Sequence, residues 1–226
     1  MTATEWVVAV GDEETRAVYE PAKSGADKAV FVCAHGAGGN MSDRSMLAAA
    51  NALRARGVGV VRFNFLYKEK GSGRPDPMPK LMTTTSAVVD RVRSELQSPR
   101  PLLIGGRSMG GRAASMLAAE GYDADGLLLL AYPLHPEGQP EKLRDAHLPR
   151  ITMPVLCING TRDGLCTPAL MERALETVTA PWTMHWLEGA DHSFHVLKSS
   201  GRNDIAVLAE VADVSASWLA GLPASH

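Results

Sequence analysis

The sequence predicts a doubly wound α/β fold, in which helices flank a mostly parallel sheet. Short apolar runs typical of strands alternate with longer segments in which apolar residues recur every three or four positions, as in helices. Inner runs such as 29–32 and 127–130 are apolar on both faces, as required of strands that helices cover on each side. A chain of 226 residues with 45 % hydrophobic content fits a single domain over residues 1–226.

The predicted elements follow one another in regular alternation. The strands are 6–10, 29–34, 58–64, 102–105, 126–131, 155–159 and 182–187. The helices are 43–56, 80–97, 108–120, 168–177 and 204–219. Segment 68–79 is rich in Gly, Pro and charge and is predicted to be a long loop at a strand end, where open α/β sheets bind ligands. A solvated surface loop is the alternative for this segment.

Composition and charge exclude several classes of partner. The formal net charge is −2 and the basic residues are dispersed, so nucleic acid is not expected to bind. Since no apolar run reaches membrane-spanning length and the N-terminus lacks a signal pattern, we expect a cytoplasmic protein without a membrane partner. Cys33, Cys157 and Cys166 are interpreted as reduced structural thiols. A homodimer is left open.

A glycine-flanked serine is the first candidate for chemistry. The segment Gly106-Arg107-Ser108-Met109-Gly110 matches G-x-S-x-G, follows an apolar strand-like run and opens a helical pattern. That strand-turn-helix context is the one in which a strained turn exposes a nucleophilic serine, and its flanking glycines let strand and helix pack closely. We therefore predict Ser108 as nucleophile. The alternative is a Gly-rich helix start with Ser108 as a simple N-cap.

Acyl transfer through a serine also needs backbone N–H groups that stabilise a negatively charged oxygen. Met109 N–H is one predicted donor. The second is expected in the Gly-rich segment after strand 29–34, and we assign it to Ala37 N–H, because glycines on both sides let this backbone approach a substrate. His35 in the same segment is expected to bind loop backbone rather than to act as the base.

The acid and the base are predicted from two later loops. Asp163 follows strand 155–159, and His192 follows strand 182–187, in the chain order Ser, Asp, His. A histidine accepts the serine proton, and a carboxylate on its other nitrogen fixes the tautomer. The competing histidines are His185, within a strand, and His195, which we place at the start of a helix. Asp191 is expected to cap the loop instead of orienting the base.

These residues resemble those of the α/β-hydrolases. The resemblance rests on His35-Gly36-Ala37-Gly38-Gly39, Gly106-Arg107-Ser108-Met109-Gly110, Asp163 and Gly189-Ala190-Asp191-His192, and it is to the compact, dienelactone-hydrolase-like branch. More narrowly, segment 105–111 and the loop with Arg74-Pro75-Asp76 are similar to uncharacterised predicted serine hydrolases related to a subunit of a chromatin acetyltransferase complex. Membership implies the fold and a Ser-His-Asp triad. Dienelactone hydrolases proper have a cysteine where this chain has Ser108.

The predicted function is that of a serine hydrolase that cleaves carboxylic esters through an acyl-enzyme, without cofactor or metal. The proline-rich segment 131–155 is too short for a large cap, which favours small-molecule esters with small or exposed acyl groups. Residues that flank the nucleophile or follow strand ends are assigned tentatively to substrate binding: Arg107, Phe65, Tyr67 and Tyr132. The alternatives are a non-catalytic interaction module and, among enzymes, a thioesterase or peptidase.

Overall fold

One eight-stranded sheet runs through residues 2–97 and 100–222, the part of the chain that the computed structural model describes. Its strands are β1 (Thr4–Val10), β2 (Glu13–Glu20), β3 (Ala29–Ala34), β4 (Val58–Phe63), β5 (Leu102–Arg107), β6 (Gly126–Leu130), β7 (Val155–Gly160) and β8 (Trp182–Leu187). They are arranged in the order β1-β2-β4-β3-β5-β6-β7-β8. The pairings of β2 with β1 and β4 are antiparallel and the other pairings are parallel, so the predicted mostly parallel sheet is confirmed.

Helices cover both faces of the sheet. They are α1 (Arg44–Arg54), α2 (Leu66–Glu69), α3 (Met78–Leu96), α4 (Met109–Ala119), α5 (Pro168–Leu175) and α6 (Asp204–Leu219). α1 and α6 pack on one face, and α3, α4 and α5 pack on the other. Along β3, Val30 and Val32 point into one core and Phe31 into the other, because successive strand residues face opposite sides. Because both faces of the inner strands are buried, their sequences are continuously apolar, as in 29–32 and 127–130.

The sequence analysis missed strand β2. Gly11 and Asp12 form the turn that joins it to β1, a two-residue hairpin in which Gly11 has a φ of 61°. Buried Thr15 and Ala17 alternate along β2 with exposed charged residues. The turn and this alternation were the available signals, but the charged residues made the segment look like a loop.

The predicted long loop 68–79 is shorter than expected. Its first residues belong to α2, and α3 begins at Met78. The backbone between them is tethered: Tyr67 N–H donates to Asp76 Oδ2 at 2.8 Å, and Ser72 N–H donates to Tyr67 O at 2.8 Å. The prediction of a long loop over the whole of 68–79 is therefore wrong.

The connection between β6 and β7 forms no large cap, as predicted. Apart from one 3-10 turn at Leu148–Arg150, it is irregular, and the side chains of Leu134, Leu148 and Ile151 are buried in the core beneath it. The segment thus folds against the body of the protein. Within the described ranges, every helix is too short or too polar to cross a bilayer.

Candidate active site

Four loops converge at the carboxyl ends of parallel strands. Ser108 follows β5, Asp163 follows β7 and His192 follows β8, while the Gly-rich segment 35–39 follows β3. Because β3, β5, β7 and β8 run in the same direction, these loops leave the sheet at one edge. The structure brings the predicted nucleophile, acid and base together there.

Ser108 lies on a strained turn between β5 and α4. Its backbone angles are φ 50° and ψ −116°, a conformation that side-chain-bearing residues rarely adopt. A Cβ at either Gly106 or Gly110 would overlap the backbone of Ala34, so both glycines are required by the close approach of β3. The Ser108 side chain makes no capping hydrogen bond to α4, which argues against the N-cap alternative.

Three side chains form a continuous hydrogen-bonded chain. Ser108 Oγ lies 2.9 Å from His192 Nε2 and donates to it. His192 Nδ1 donates to Asp163, at 2.8 Å from Oδ2 and 3.0 Å from Oδ1. Ser108 and His192 are partly exposed, whereas the Asp163 side chain is fully buried. A reactant from solvent can thus reach the serine but not the carboxylate.

Asp163 is held by groups other than the histidine. Leu165 N–H donates to Oδ1 at 2.8 Å, and the Asn159 side-chain amide donates to Oδ2 at 3.1 Å. Asn159 also accepts from Tyr132 N–H and donates to Tyr132 O, each at 3.0 Å. Sequence analysis missed Asn159. A polar amide at the end of the apolar run 155–158 was the signal, since a buried amide requires hydrogen-bond partners.

The Gly-rich segment after β3 lies beside the serine. A Cβ at Gly36 would stand 3.5 Å from Ser108 Cβ, an ordinary van der Waals contact, so this backbone passes directly beside the nucleophile. His35 is buried and fixes the segment: Nδ1 donates to Gly36 O at 2.8 Å, and Nε2 accepts from Phe65 N–H at 3.1 Å. Its predicted backbone-binding role is confirmed. Burial lowers the pKa of His35, which favours the neutral form that this arrangement needs.

Comparison with known proteins agrees with this architecture. The family model described as alpha/beta hydrolase domain matches residues 27–220. The chain belongs to this α/β-hydrolase family. The match includes all four loops of the site, and family membership supports a hydrolase.

Several solved structures share the fold of this α/β-hydrolase over nearly its whole length. An α/β serine hydrolase homologue from Coxiella burnetii superposes with a TM-score of 0.76 at 21 % identity, covering 95 % of this chain and 98 % of that one. A serine hydrolase without a lid from Xanthomonas campestris gives 0.75 at 21 % identity, with 98 % and 97 % covered. Dienelactone hydrolase from Anabaena variabilis gives 0.75 at 21 % identity, with 98 % of each chain covered. The family match confirms the resemblance to the α/β-hydrolases, and these likenesses show that the chain shares its fold with dienelactone hydrolase and with a serine hydrolase that has no lid.

The competing histidines of this α/β-hydrolase lie in other networks. His195 is largely exposed and its Nδ1 pairs with Asp204 at 3.0 Å. It lies outside any helix, so its predicted helical position is wrong. His185 lies on β8 as predicted and pairs with Glu210 at 2.8 Å. Asp191 Oδ1 accepts from Ser193 N–H at 2.7 Å and from His195 N–H at 3.0 Å, which is the loop-capping role expected of it.

A second serine–histidine pair exists inside the core. His147 Nε2 lies 2.7 Å from Ser115 Oγ, on the inner side of α4. Ser115 is fully buried and His147 nearly so, and within the described ranges no carboxylate pairs with this histidine. Burial and the nearby Arg112 and Arg150 lower the pKa of His147 to about 4. This pair lacks both solvent access and an orienting acid, unlike the pair at Ser108.

The tentative substrate-binding residues are placed differently from expectation. Phe65 and Tyr132 have no exposed surface, so their assignment to substrate contact is wrong. The Phe65 ring packs edge-on against His35, and the Tyr132 hydroxyl donates to Arg144 O at 2.7 Å. Tyr67 is almost completely buried, and its hydroxyl has no hydrogen-bond partner among the described residues. Burial raises the pKa of Tyr67. The Arg107 side chain binds the loop that carries His192, residues 191–195, which we call the histidine loop. Its Nη2 donates to His192 O at 2.9 Å.

The cysteines are buried free thiols. Burial raises the pKa of Cys33 to about 12 and also raises the pKa values of Cys157 and Cys166, so these thiols are inert at neutral pH. Over residues 2–97 and 100–222, no three His, Cys, Asp or Glu side chains form a group suited to a metal ion.

Proposed function

We propose that this protein hydrolyses carboxylic esters through a covalent acyl-enzyme on Ser108. The observation that carries the proposal is the hydrogen-bonded chain from Ser108 through His192 to Asp163, with links of 2.9 and 2.8 Å. A serine hydroxyl is a poor nucleophile unless a base accepts its proton, and His192 Nε2 is within reach to do so.

In the proposed reaction, Ser108 Oγ attacks the ester carbonyl carbon while its proton passes to His192 Nε2. Asp163 stabilises the resulting imidazolium through Nδ1–H and keeps its own negative charge. The imidazolium then gives the proton to the departing alkoxide as the carbon–oxygen bond breaks, which leaves the acyl group on Ser108. Water, deprotonated by His192, attacks this acyl ester and releases the carboxylic acid and the free serine.

Backbone amides supply the proposed oxyanion site. Met109 is the first residue of α4, and N–H groups of a first helical turn have no partner within the helix. The proximity of Gly36 to Ser108 supports Ala37 N–H as the second donor. Donors held in place before the reaction stabilise the developing charge without reorganisation.

Segment 131–155 forms no large cap over the site, and this supports substrates with small or exposed acyl groups. Leu134 and Leu148 are buried in the core, so these two apolar side chains are not available to cover a bound acyl chain. A long acyl chain would remain in water, and binding it would bring little gain from apolar burial.

The test is reaction with a fluorophosphonate, which modifies only a serine activated by a base and an oxyanion site. We expect stoichiometric labelling at Ser108. Ser108→Ala should fold normally, remain unlabelled and lose esterase turnover by about four to six orders of magnitude. A folded wild-type protein that resists the probe would instead favour the non-catalytic interaction module. Parallel assays with short-chain aryl esters, thioesters and peptides decide between the leaving groups.

A further inference from the structure

We propose that Arg107 is a positioning residue, which holds the base His192 in place by binding its backbone carbonyl oxygen. This inference rests on the proposed function and deepens it. The contact is a hydrogen bond of 2.9 Å from Arg107 Nη2 to His192 O. A charged donor makes a stronger hydrogen bond than a neutral one.

Four hydrogen bonds brace residues 191–195 of the histidine loop internally. Asp191 N–H donates to His195 O at 2.9 Å, and Phe194 N–H donates to Asp191 O at 2.9 Å. The Asp191 carboxylate accepts from two further amides of the loop, those of Ser193 and His195. The His192 carbonyl faces outward from this turn and is bound by Arg107. The Arg107 contact therefore adds a backbone anchor to the side-chain hydrogen bonds that His192 makes with Ser108 and Asp163.

The Arg107 side chain has no competing ion pair. Within the described ranges, no carboxylate lies within salt-bridge distance of its guanidinium. The guanidinium lies over the ring of buried Phe194, 5.4 Å from the ring centre. Burial lowers the pKa of Arg107, while the carboxylates of Asp191 and Asp163 oppose that effect. Burying a cation without partners is unfavourable. The hydrogen bond to His192 O and the contact with the Phe194 ring therefore stabilise the partly buried Arg107 guanidinium.

Arg107 also connects the loop to the nucleophile. It is the last residue of β5, paired in register with Leu130, and it directly precedes Ser108. The sheet therefore fixes the Arg107 backbone, and the hydrogen bond from its side chain holds His192 at a defined distance from β5. A shift of about 1 Å in a reacting group can lower a rate by about 100-fold, so such a link matters for catalysis.

The experiment compares Arg107→Met and Arg107→Lys with the matched control Arg162→Met. Arg162 is exposed and donates to Gly189 O at 3.1 Å, a carbonyl just before the same loop. For Arg107→Met, we expect kcat for a short aryl ester and the rate of fluorophosphonate labelling to fall about 10- to 100-fold, with KM within about threefold of wild type. Arg107→Lys should recover part of this loss, because a lysine can reach the carbonyl but lacks the planar fork. Arg162→Met should stay within about threefold of wild type in both rates.

Amide hydrogen exchange gives a readout that does not depend on turnover. Faster exchange of residues 192–195 is expected in Arg107→Met and not in Arg162→Met. Unchanged exchange and labelling in Arg107→Met would overturn the proposal. A raised KM with unchanged kcat would also overturn it and assign Arg107 to substrate binding. If wild type itself does not react with the probe, the proposed function fails, and the exchange data alone then decide whether Arg107 holds the loop.

Discussion

Asn159 and Asp163 are joined by a hydrogen bond of 3.1 Å, donated by the Asn159 amide to Asp163 Oδ2. Because Asn159 also binds both backbone groups of Tyr132, its amide cannot turn away without breaking several contacts. The carboxylate that faces His192 is thus fixed by the end of β7 as well as by its own loop. This arrangement predicts separate effects for the two residues.

For Asp163→Asn, we expect turnover to fall by about four orders of magnitude with the protein still folded, because the amide stabilises the wrong histidine tautomer. For Asn159→Ala, we expect a fall of about 10- to 100-fold, since the carboxylate loses one fixed donor. That variant should also lose about 1 to 3 kcal/mol of unfolding free energy, because the buried Tyr132 N–H is left without its partner, while Tyr132 O still accepts from Leu134 N–H at 3.1 Å.

The control for Asn159 is Asn64→Ala. Asn64 is also buried and binds Met41 N–H and Glu69, away from Asp163. It should lose stability without a comparable fall in turnover per active site. Equal turnover losses in the two variants would mean that the Asn159 effect is general destabilisation.

Two neighbouring histidines should differ in their effect on serine reactivity. His192→Ala is expected to slow fluorophosphonate labelling by several orders of magnitude, whereas His195→Ala should leave it within about tenfold of wild type. The physical reason is that His192 alone bonds Ser108, while His195 pairs with Asp204 at the protein surface. The opposite ranking would transfer the role of base to His195.

Chain-length preference follows from the missing cap. Across a series of 4-nitrophenyl esters, kcat/KM should be highest for short acyl groups, because the site offers little apolar cover to longer ones. Activity is measured below the critical micelle concentration of each ester. An optimum at long chains would contradict this expectation.

Stability is expected to depend on pH through His147. Its folded-state pKa of about 4 lies below the ordinary value of 6.5, so between these values the unfolded chain binds more protons than the folded one. Stability should therefore fall as the pH decreases through this window, with a contribution on the order of 2 kcal/mol from this residue. Urea denaturation at pH 7.5 and pH 4.5 measures it, and His147→Gln should reduce the difference.

His195→Gln provides a contrast of opposite sign. The Asp204 carboxylate raises the pKa of His195, so this pair stabilises the fold at low pH and loses its effect as the pH rises through the folded-state pKa. Its removal should make the acid loss of stability larger. An acid loss that is unchanged or larger in His147→Gln would show that His147 is not its source, and a smaller loss in His195→Gln would contradict the role of the His195–Asp204 pair.

The sequence was sufficient to predict the sheet, the serine turn and the three residues of the hydrogen-bonded chain. Gly106 and Gly110 mark a turn that β3 approaches closely, which identified Ser108. Loops that follow parallel strands leave the sheet at one edge, so Asp163 and His192 could be assigned to the same site from the sequence. The polar strand β2 was missed because its exposed residues conceal the alternation.

Side-chain direction was the part that the sequence could not supply. Arg107 precedes the nucleophile, and nothing in the local sequence distinguishes a guanidinium that binds substrate from one that binds a backbone carbonyl 85 positions away. Phe65 and Tyr132 follow strand ends, as pocket residues often do, but both side chains are completely buried, against residues distant in the sequence such as His35 and Arg144. Such facts depend on long-range packing, which periodicity and motifs do not encode.

The position of the site in the sheet has a consequence for biosynthesis and for heat inactivation. Ser108 follows the central strand β5, but the loop of His192 depends on β8, an edge strand that pairs with β7 alone and is only partly buried. Edge elements with few buried contacts open before the rest of a fold. We therefore expect Ser108 of a nascent chain to react with the probe only after β8 has docked. A warmed sample should lose probe reactivity while its circular dichroism still reports a folded sheet.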